Sequence, residues 1–236
     1  MALPKLNTPK FKMKLPSDGR TVNFRPFLVK EEKILLIATE TGDQDSMVSA
    51  IKDIIMACTD IKDVDALPTF DIEFVFLQIR TKSVGESVEV GVVCPDDEET
   101  EVKVSIPLDE IKVKKTKGHT KIVKLDDGVS VTMGYPSLDT FVKMNFAGEQ
   151  VGVDQIFEMA ASCMETVADA EQVYECKDLP KEDVMAFLEG MTSNQFKKVQ
   201  DFFETMPKLE HTVKVENPNT KKVSDIKLEG LAAFFG

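Results

Sequence analysis

The sequence has no tryptophan and, in 236 residues, two tyrosines, two histidines and four cysteines. Each scarcity removes a class of chemistry. Proton- and acyl-transfer enzymes usually display His, Cys or Ser in a recognisable setting, whereas His119 and His211 fall beside or within expected strands, where packing accounts for them. No Gly-rich phosphate loop, GxSxG, HExxH or Asp pair with metal spacing occurs, so no enzymatic activity is expected. Cys58, Cys94, Cys163 and Cys176 lie far apart without a CxxC pair, which predicts reduced thiols rather than a disulfide framework. The longest uninterrupted apolar runs, such as those at 34–38 and 231–235, have five residues, against about 18 or more for a membrane span. The opening, Met1 to Leu15, sets Lys5, Lys10, Lys12 and Lys14 among isolated apolar residues. It has no apolar core of the kind a secretory signal needs, and the protein is expected to stay in the cytoplasm where it is made.

What is present is the composition of a soluble globular protein: 42% apolar and 30% charged residues, with 12 Gly and 11 Pro and no low-complexity tract. The length suits one large or two small domains. A net charge of -12 repels phosphate backbones, so neither nucleic acid nor an anionic membrane is an expected partner. Two basic stretches interrupt the acidity. Lys112, Lys114, Lys115, Lys117, Lys121 and Lys124 occupy a run without an acidic residue, and the first thirty residues carry seven Lys or Arg against Asp18 alone. Solvated, edge-protecting lysines explain the first stretch; head-to-tail protein contacts would suit the asymmetry of the second.

Periodicity predicts an α+β fold, with antiparallel hairpins at the beginning, middle and end and a mainly helical segment between the last two. Phe11, Met13 and Leu15 alternate with lysines and Val22 and Phe24 resume after Ser17-Asp18-Gly19, which reads as a hairpin. Helices are expected over 29–39 and from Asp43 or Asp45 onward, where Met47, Ile51, Ile54 and Ile55 form a stripe. Residues 67–83 fit both periods. Phe70, Ile72, Phe74 and Phe76 alternate like a strand, while Ile72, Val75, Phe76 and Ile79 share a helix face; length, basic Arg80 and Lys82, and Gly85 favour the helix. Hairpins follow at 86–106 and 121–133, then helices over 138–145, 153–169, after Pro180 and over 195–206, and a closing hairpin at 211–228. The expected divisions are 1–85, hairpin plus helices; 86–136, a central antiparallel module; and 137–236, helical with the last hairpin, packed as one or two domains.

The central and final hairpins resemble each other. Ser87 to Pro95 and Glu210 to Pro218 share a polar/Val alternation that runs into Cys94-Pro95 and Asn217-Pro218. In a zinc ribbon such tips each carry Cys-x-x-Cys, because thiolates three positions apart grip one tetrahedral ion. Here the corresponding positions are Cys94, Asp97, Asn217 and Thr220, one thiol of four, so no metal and no cofactor are expected. Two turns rich in Pro, Asn and Asp are the plainer account. Aromatic and Arg residues at Phe24, Arg25 and Phe27, with Leu231, Phe234 and Phe235 near the end, are candidates for partner anchoring or for core packing.

Several blocks in order, Leu3 to Pro9, Phe24 to Leu36, Leu67-Pro68, Phe70 to Leu77, Arg80 to Glu86, Met206 to His211 and Leu228 to Leu231 with Phe234-Phe235, resemble the baseplate hub subunit family of T-even-type contractile-tailed phages. Members of that family often carry Cys-Pro-x-Cys-like hairpin tips, and the departure here bears on metal binding rather than on fold. The resemblance implies a non-enzymatic protein of the baseplate hub. It would act through contacts with other hub or tail proteins, located in the host cytoplasm during assembly and in the tail baseplate of the virion. An assembly chaperone that holds a hub partner and leaves is the alternative, and a degenerate zinc-ribbon-like adaptor a third. The sequence assigns no oligomeric state.

Overall fold

A computed structural model describes residues 6–41, 44–85, 87–125, 128–138, 140 and 152–230. These form small antiparallel sheets and helices, an α+β fold, in two compact units: residues 1–114 with 208–236, and residues 115–207. The last hairpin is grouped with residues 1–114 because it pairs with a strand of that unit.

In the first unit, β1 (Phe11–Lys14) and β2 (Thr21–Phe24) pair with Phe11 opposite Phe24, their rings 5.5 Å apart, and Gly19 takes the positive φ of 74° that the turn requires. Helices α1 (Val29–Thr41), α2 (Gln44–Cys58) and α3 (Thr69–Ser83) follow. β3 (Ser87–Val93) and β4 (Glu101–Pro107) form a hairpin of their own, while β5 (Lys112–Lys114) is joined by β10 (Lys208–Glu216) and β11 (Val223–Glu229) in the order β11-β10-β5.

The ambiguous stretch is helix α3, buried over most of its circumference. Phe70, Ile72, Val75, Phe76, Leu77 and Ile79 are all in the core, as are Asp71 and Glu73. A helix buried on most of its faces, with carboxylates among the buried positions, shows little periodic contrast, which is why its residues satisfied a strand pattern equally well. It packs against α2, β5 and β10. Pro68 occupies the N-cap without a side-chain bond, and Asp71 accepts from the Ser17 amide (3.0 Å) and hydroxyl in the first turn of the chain. This ties the opening hairpin to the central helix.

In the second unit the sheet order is β6-β7-β8-β9, from β6 (Ile122–Lys124), β7 (Ser130–Met133), β8 (Met164–Ala168) and β9 (Val173–Glu175). Helices α4 (Val153–Ser162), α5 (Lys181–Glu189) and α6 (Ser193–Thr205) cover it around Val131, Met133, Leu188, Val199 and Phe202. The helix expected over 153–169 ends at Ser162. Met164 and Val167 continue its apolar spacing, yet the Thr166-Val167 run is β-prone and β7 offers an unpaired edge, so the chain turns into β8 there. Of the helix expected over 138–145, Ser137 Oγ accepts from Thr140 N at 3.2 Å, and the remainder lies outside the described residues. Thr192 and Gln195 form a reciprocal capping box at the start of α6. His119 is held at both ring nitrogens, by Thr205 Oγ1 and Tyr135 Oη at 3.1 Å, beside Phe202. All four cysteines are free and buried, and burial pushes the Cys58 and Cys163 thiols up to about 11.

Because Leu77 is wholly enclosed within the first unit, Leu77→Ala is expected to cost about 3 kcal/mol in urea unfolding. A loss under about 1 kcal/mol would show that α3 is not the centre of that unit.

Candidate interaction surface

The two hairpin tips of the first unit have the same local build. Glu98 N donates to Cys94 O at 3.0 Å and Lys221 N to Asn217 O at 2.9 Å, each bond closing four residues after the Cys or Asn. Glu98 and Lys221 take φ of 56° and 63°; among the described residues they are the non-glycines with positive φ. Two independent stretches thus fold into one knuckle, held by the same backbone bonds.

The tips meet through Asn217, which is fully enclosed. Its Nδ2 donates to Asp96 Oδ1 (3.0 Å) and Asp97 Oδ2 (2.8 Å), and its Oδ1 accepts from the amides of Asn219 (2.8 Å) and Thr220 (3.2 Å). Both donors and both lone pairs of the amide are used. Thr220 Oγ1 donates to Asp96, Asn219 Nδ2 donates to Thr100 Oγ1 at 2.9 Å, and Thr100 Oγ1 donates to Asp97. The hydroxyl of Thr100 and the amide of Asn217 hold the Asp97 carboxyl well below the usual carboxylate range, and Thr220 and Asn217 lower Asp96. Burial and the two neighbouring carboxylates push the Cys94 thiol up.

This donor set does not fit a metal ion. Asn217 and Thr220 direct hydrogens, not lone pairs, at the carboxylates, whose oxygens are occupied by those hydrogens. Among the described residues no group of three or more His, Cys, Asp or Glu is placed to hold one. Of the four tip positions, Asp97, Asn217 and Thr220 are brought together by hydrogen bonds, while Cys94 is buried at the base of its tip with its amide and carbonyl bonded to Thr100 and Glu98. Asp96 and Asn219, which complete the clasp, carry no sequence signal beyond their place in a turn.

Of the expected anchoring residues, Phe24 and Phe27 lie in the core of the chain. Arg25 is turned inward: its guanidinium donates to Glu31 (3.0 Å), Ala57 O (3.0 Å) and Pro26 O (2.8 Å). Glu31, itself buried, also accepts from Leu28 N at 2.7 Å and pairs with Lys30. Burial pushes the Glu31 carboxyl up, but the bonds from Arg25, Leu28 and Lys30 outweigh it and the group lies below its ordinary value. Leu231, Phe234 and Phe235 lie outside the described residues.

The neighbouring exposed surface belongs to α1. Its buried line is Glu31 and Ala38, with Leu35 beside it; turned outward are Val29, Lys33, Leu36 and Glu40, flanked by Ile34 and Ile37. Leu28, Val29, Ile34, Leu36 and Ile37 are between 40% and 79% exposed. Isolated exposed apolar residues are ordinary, but five within ten positions make a patch of the kind that marks protein contacts. In the second unit, a groove of about 1390 Å³ lies beside α4, α5 and β8, with Met159, Met164 and Met185 on its wall and Glu158, Glu182 and Glu189 among its lining. Among the described residues no helix is long and apolar enough to cross a membrane.

The chain belongs to the family of T4 bacteriophage base plate proteins, whose sequence model matches residues 8–236. No curated protein and no solved structure matches it. It is therefore a baseplate protein of a T4-type phage, with a structural role exercised against other tail or baseplate proteins.

Two substitutions separate packing from contact. Arg25→Ala strands the buried Glu31 carboxylate and is expected to cost about 3 kcal/mol, with Arg25→Lys recovering only part; unchanged stability with lost partner binding would put Arg25 on the contact surface instead. Asn217→Ala should cost about 2 kcal/mol. Since Asp96 and Asp97 titrate lower in the folded chain, their contribution is complete above about pH 4 and is lost as pH falls below it toward the folded values. Asn217→Ala should therefore also flatten the fall of the melting temperature below that pH, and an unaltered acid slope would refute the clasp.

Proposed function

We propose that this baseplate protein is a non-enzymatic structural component of the hub, at the centre of the baseplate, and that it acts in tail assembly through protein-protein contacts. The observation that carries the reading is the α1 patch: a chain with net charge -12 keeps five large apolar side chains in the open next to the buried Arg25–Glu31 ion pair. Exposed apolar area of this density is useful to a protein that ends up covered by others. The blocks that resemble the hub subunit family support the central position: Phe24 to Leu36 covers the first part of α1, and Phe70 to Leu77 with Arg80 to Glu86 covers most of α3. The predominance of acidic residues supports partners other than nucleic acid. On this reading the protein is in the host cytoplasm during assembly before it joins the tail.

Quantitative mass spectrometry of purified particles beside the infected-cell lysate tests this. A constant small ratio of this chain to tube protein in particles is expected. Abundance in the lysate with absence from particles would replace the hub component with an assembly chaperone that holds a hub partner and leaves.

A further inference from the structure

Seen along its axis, α1 carries its charges in an order that its own copy complements. The outward stripe reads Val29, Lys33, Leu36, Glu40, at the 4-3-4 spacing that keeps side chains on one helix face. The basic residues Lys30 and Lys33 are in the first half and Glu40 is in the second. Lys33 and Glu40 lie at equal distances either side of the Leu36/Ile37 pair, and neither makes an ion pair among the described residues. Two such helices laid antiparallel about a two-fold axis through that point would set Lys33 of each copy against Glu40 of the other. Leu36 and Ile37 would lie across the axis from their counterparts, and the helix dipoles would oppose.

Charge elsewhere disfavours self-association, since two copies each at -12 repel. The exposed face of α1 is the exception. Lys30, Lys33, Glu32 and Glu40 sum to zero, because Glu31 is buried and paired with Arg25. The outward stripe of α1 is therefore neutral in its own side chains, with Asp45 and Asp53 of α2 to the Ile34/Ile37 side of it, and it is there that two acidic copies approach at the lowest charge penalty.

We infer that the outward face of α1 is a homodimer interface, joining two copies of this chain as an antiparallel helix pair. This deepens the reading above in that it names one partner of the α1 face, a second copy. A 13-residue helix is about 20 Å long and covers less than the roughly 800 Å² per partner of a standard interface, so the dimer is a weak, transient one. Local concentration in an assembling particle would fill it.

Sedimentation equilibrium of the full chain, followed over concentration, tests the inference without reference to particles. The natural chain should pass from monomer to dimer. Lys33→Glu and Glu40→Lys, each of which creates two like-charge contacts across the axis, should each weaken the dimer about tenfold, and the double exchange K33E/E40K should restore it. Leu36→Glu should give a monomer. All of these positions are on the outside of the helix, and circular dichroism of each variant checks that the fold is retained; should Leu36→Glu fail to fold, the charge exchanges stand alone. A natural chain that stays monomeric to about 1 mM overturns the inference. A dimer indifferent to these substitutions, or a double exchange that fails to restore association, overturns it equally. Finding the chain in particles, or missing it there, bears on the hub reading and leaves this result unchanged.

Discussion

The first unit depends on the enclosure of α3. A helix whose apolar residues are spread over most of its circumference can be stable only if several elements cover it, and those that do so come from distant parts of the chain: α2 just before it, β5 after it, and β10 from near the end. The buried carboxylate of Asp71 extends this requirement to the opening hairpin through Ser17. Burial of the central helix thus decides why the last hairpin must return to the first unit rather than stay with the helices that precede it. It also decides why the unit is discontinuous in sequence, with residues 115–207 forming a unit of their own between its two parts.

Hairpins were the most legible elements, because alternation and turn chemistry act locally: 11–24, 87–107, 122–133 and 208–229 are all paired strands. The identity of α3 was legible only through its length and ends, since burial over most of its circumference leaves little periodic contrast. Residues 164–168 were misread as helix because a 3.6-residue spacing continues into them, and only the open edge of β7 selects the strand. The correspondence of the two tips was visible in the Cys-Pro and Asn-Pro repeats, but that they touch was not, for pairing between loops 120 residues apart leaves no local pattern. Within the apolar run Ile34 to Ala38, the exposure of Ile34, Leu36 and Ile37 follows from which face of α1 Glu31 and Ala38 claim, and a buried glutamate is invisible to a hydrophobic count.

Those two features have a common cause. In each, a polar group takes a place that apolar patterning would reserve for something else: Glu31, pinned by Arg25, sets the rotation of α1 and so turns Leu36 and Ile37 outward, while Asn217 joins two tips at a point where thiolates would otherwise be needed. Polar interiors of this kind specify geometry more than they add stability, because the cost of desolvation offsets much of what the bonds return. For a baseplate protein, whose work is to present surfaces in fixed relation, that specificity is the property of use.

The hydrogen-bonded joint between the tips has one further consequence. Structural zinc makes folding conditional: a chain waits for an ion, competes for it, and stays open where the ion is scarce. Closing a contact across 120 residues with an amide and two carboxylates leaves the loop-closure entropy to be met by the chain alone, but frees the timing of folding from any supply outside it.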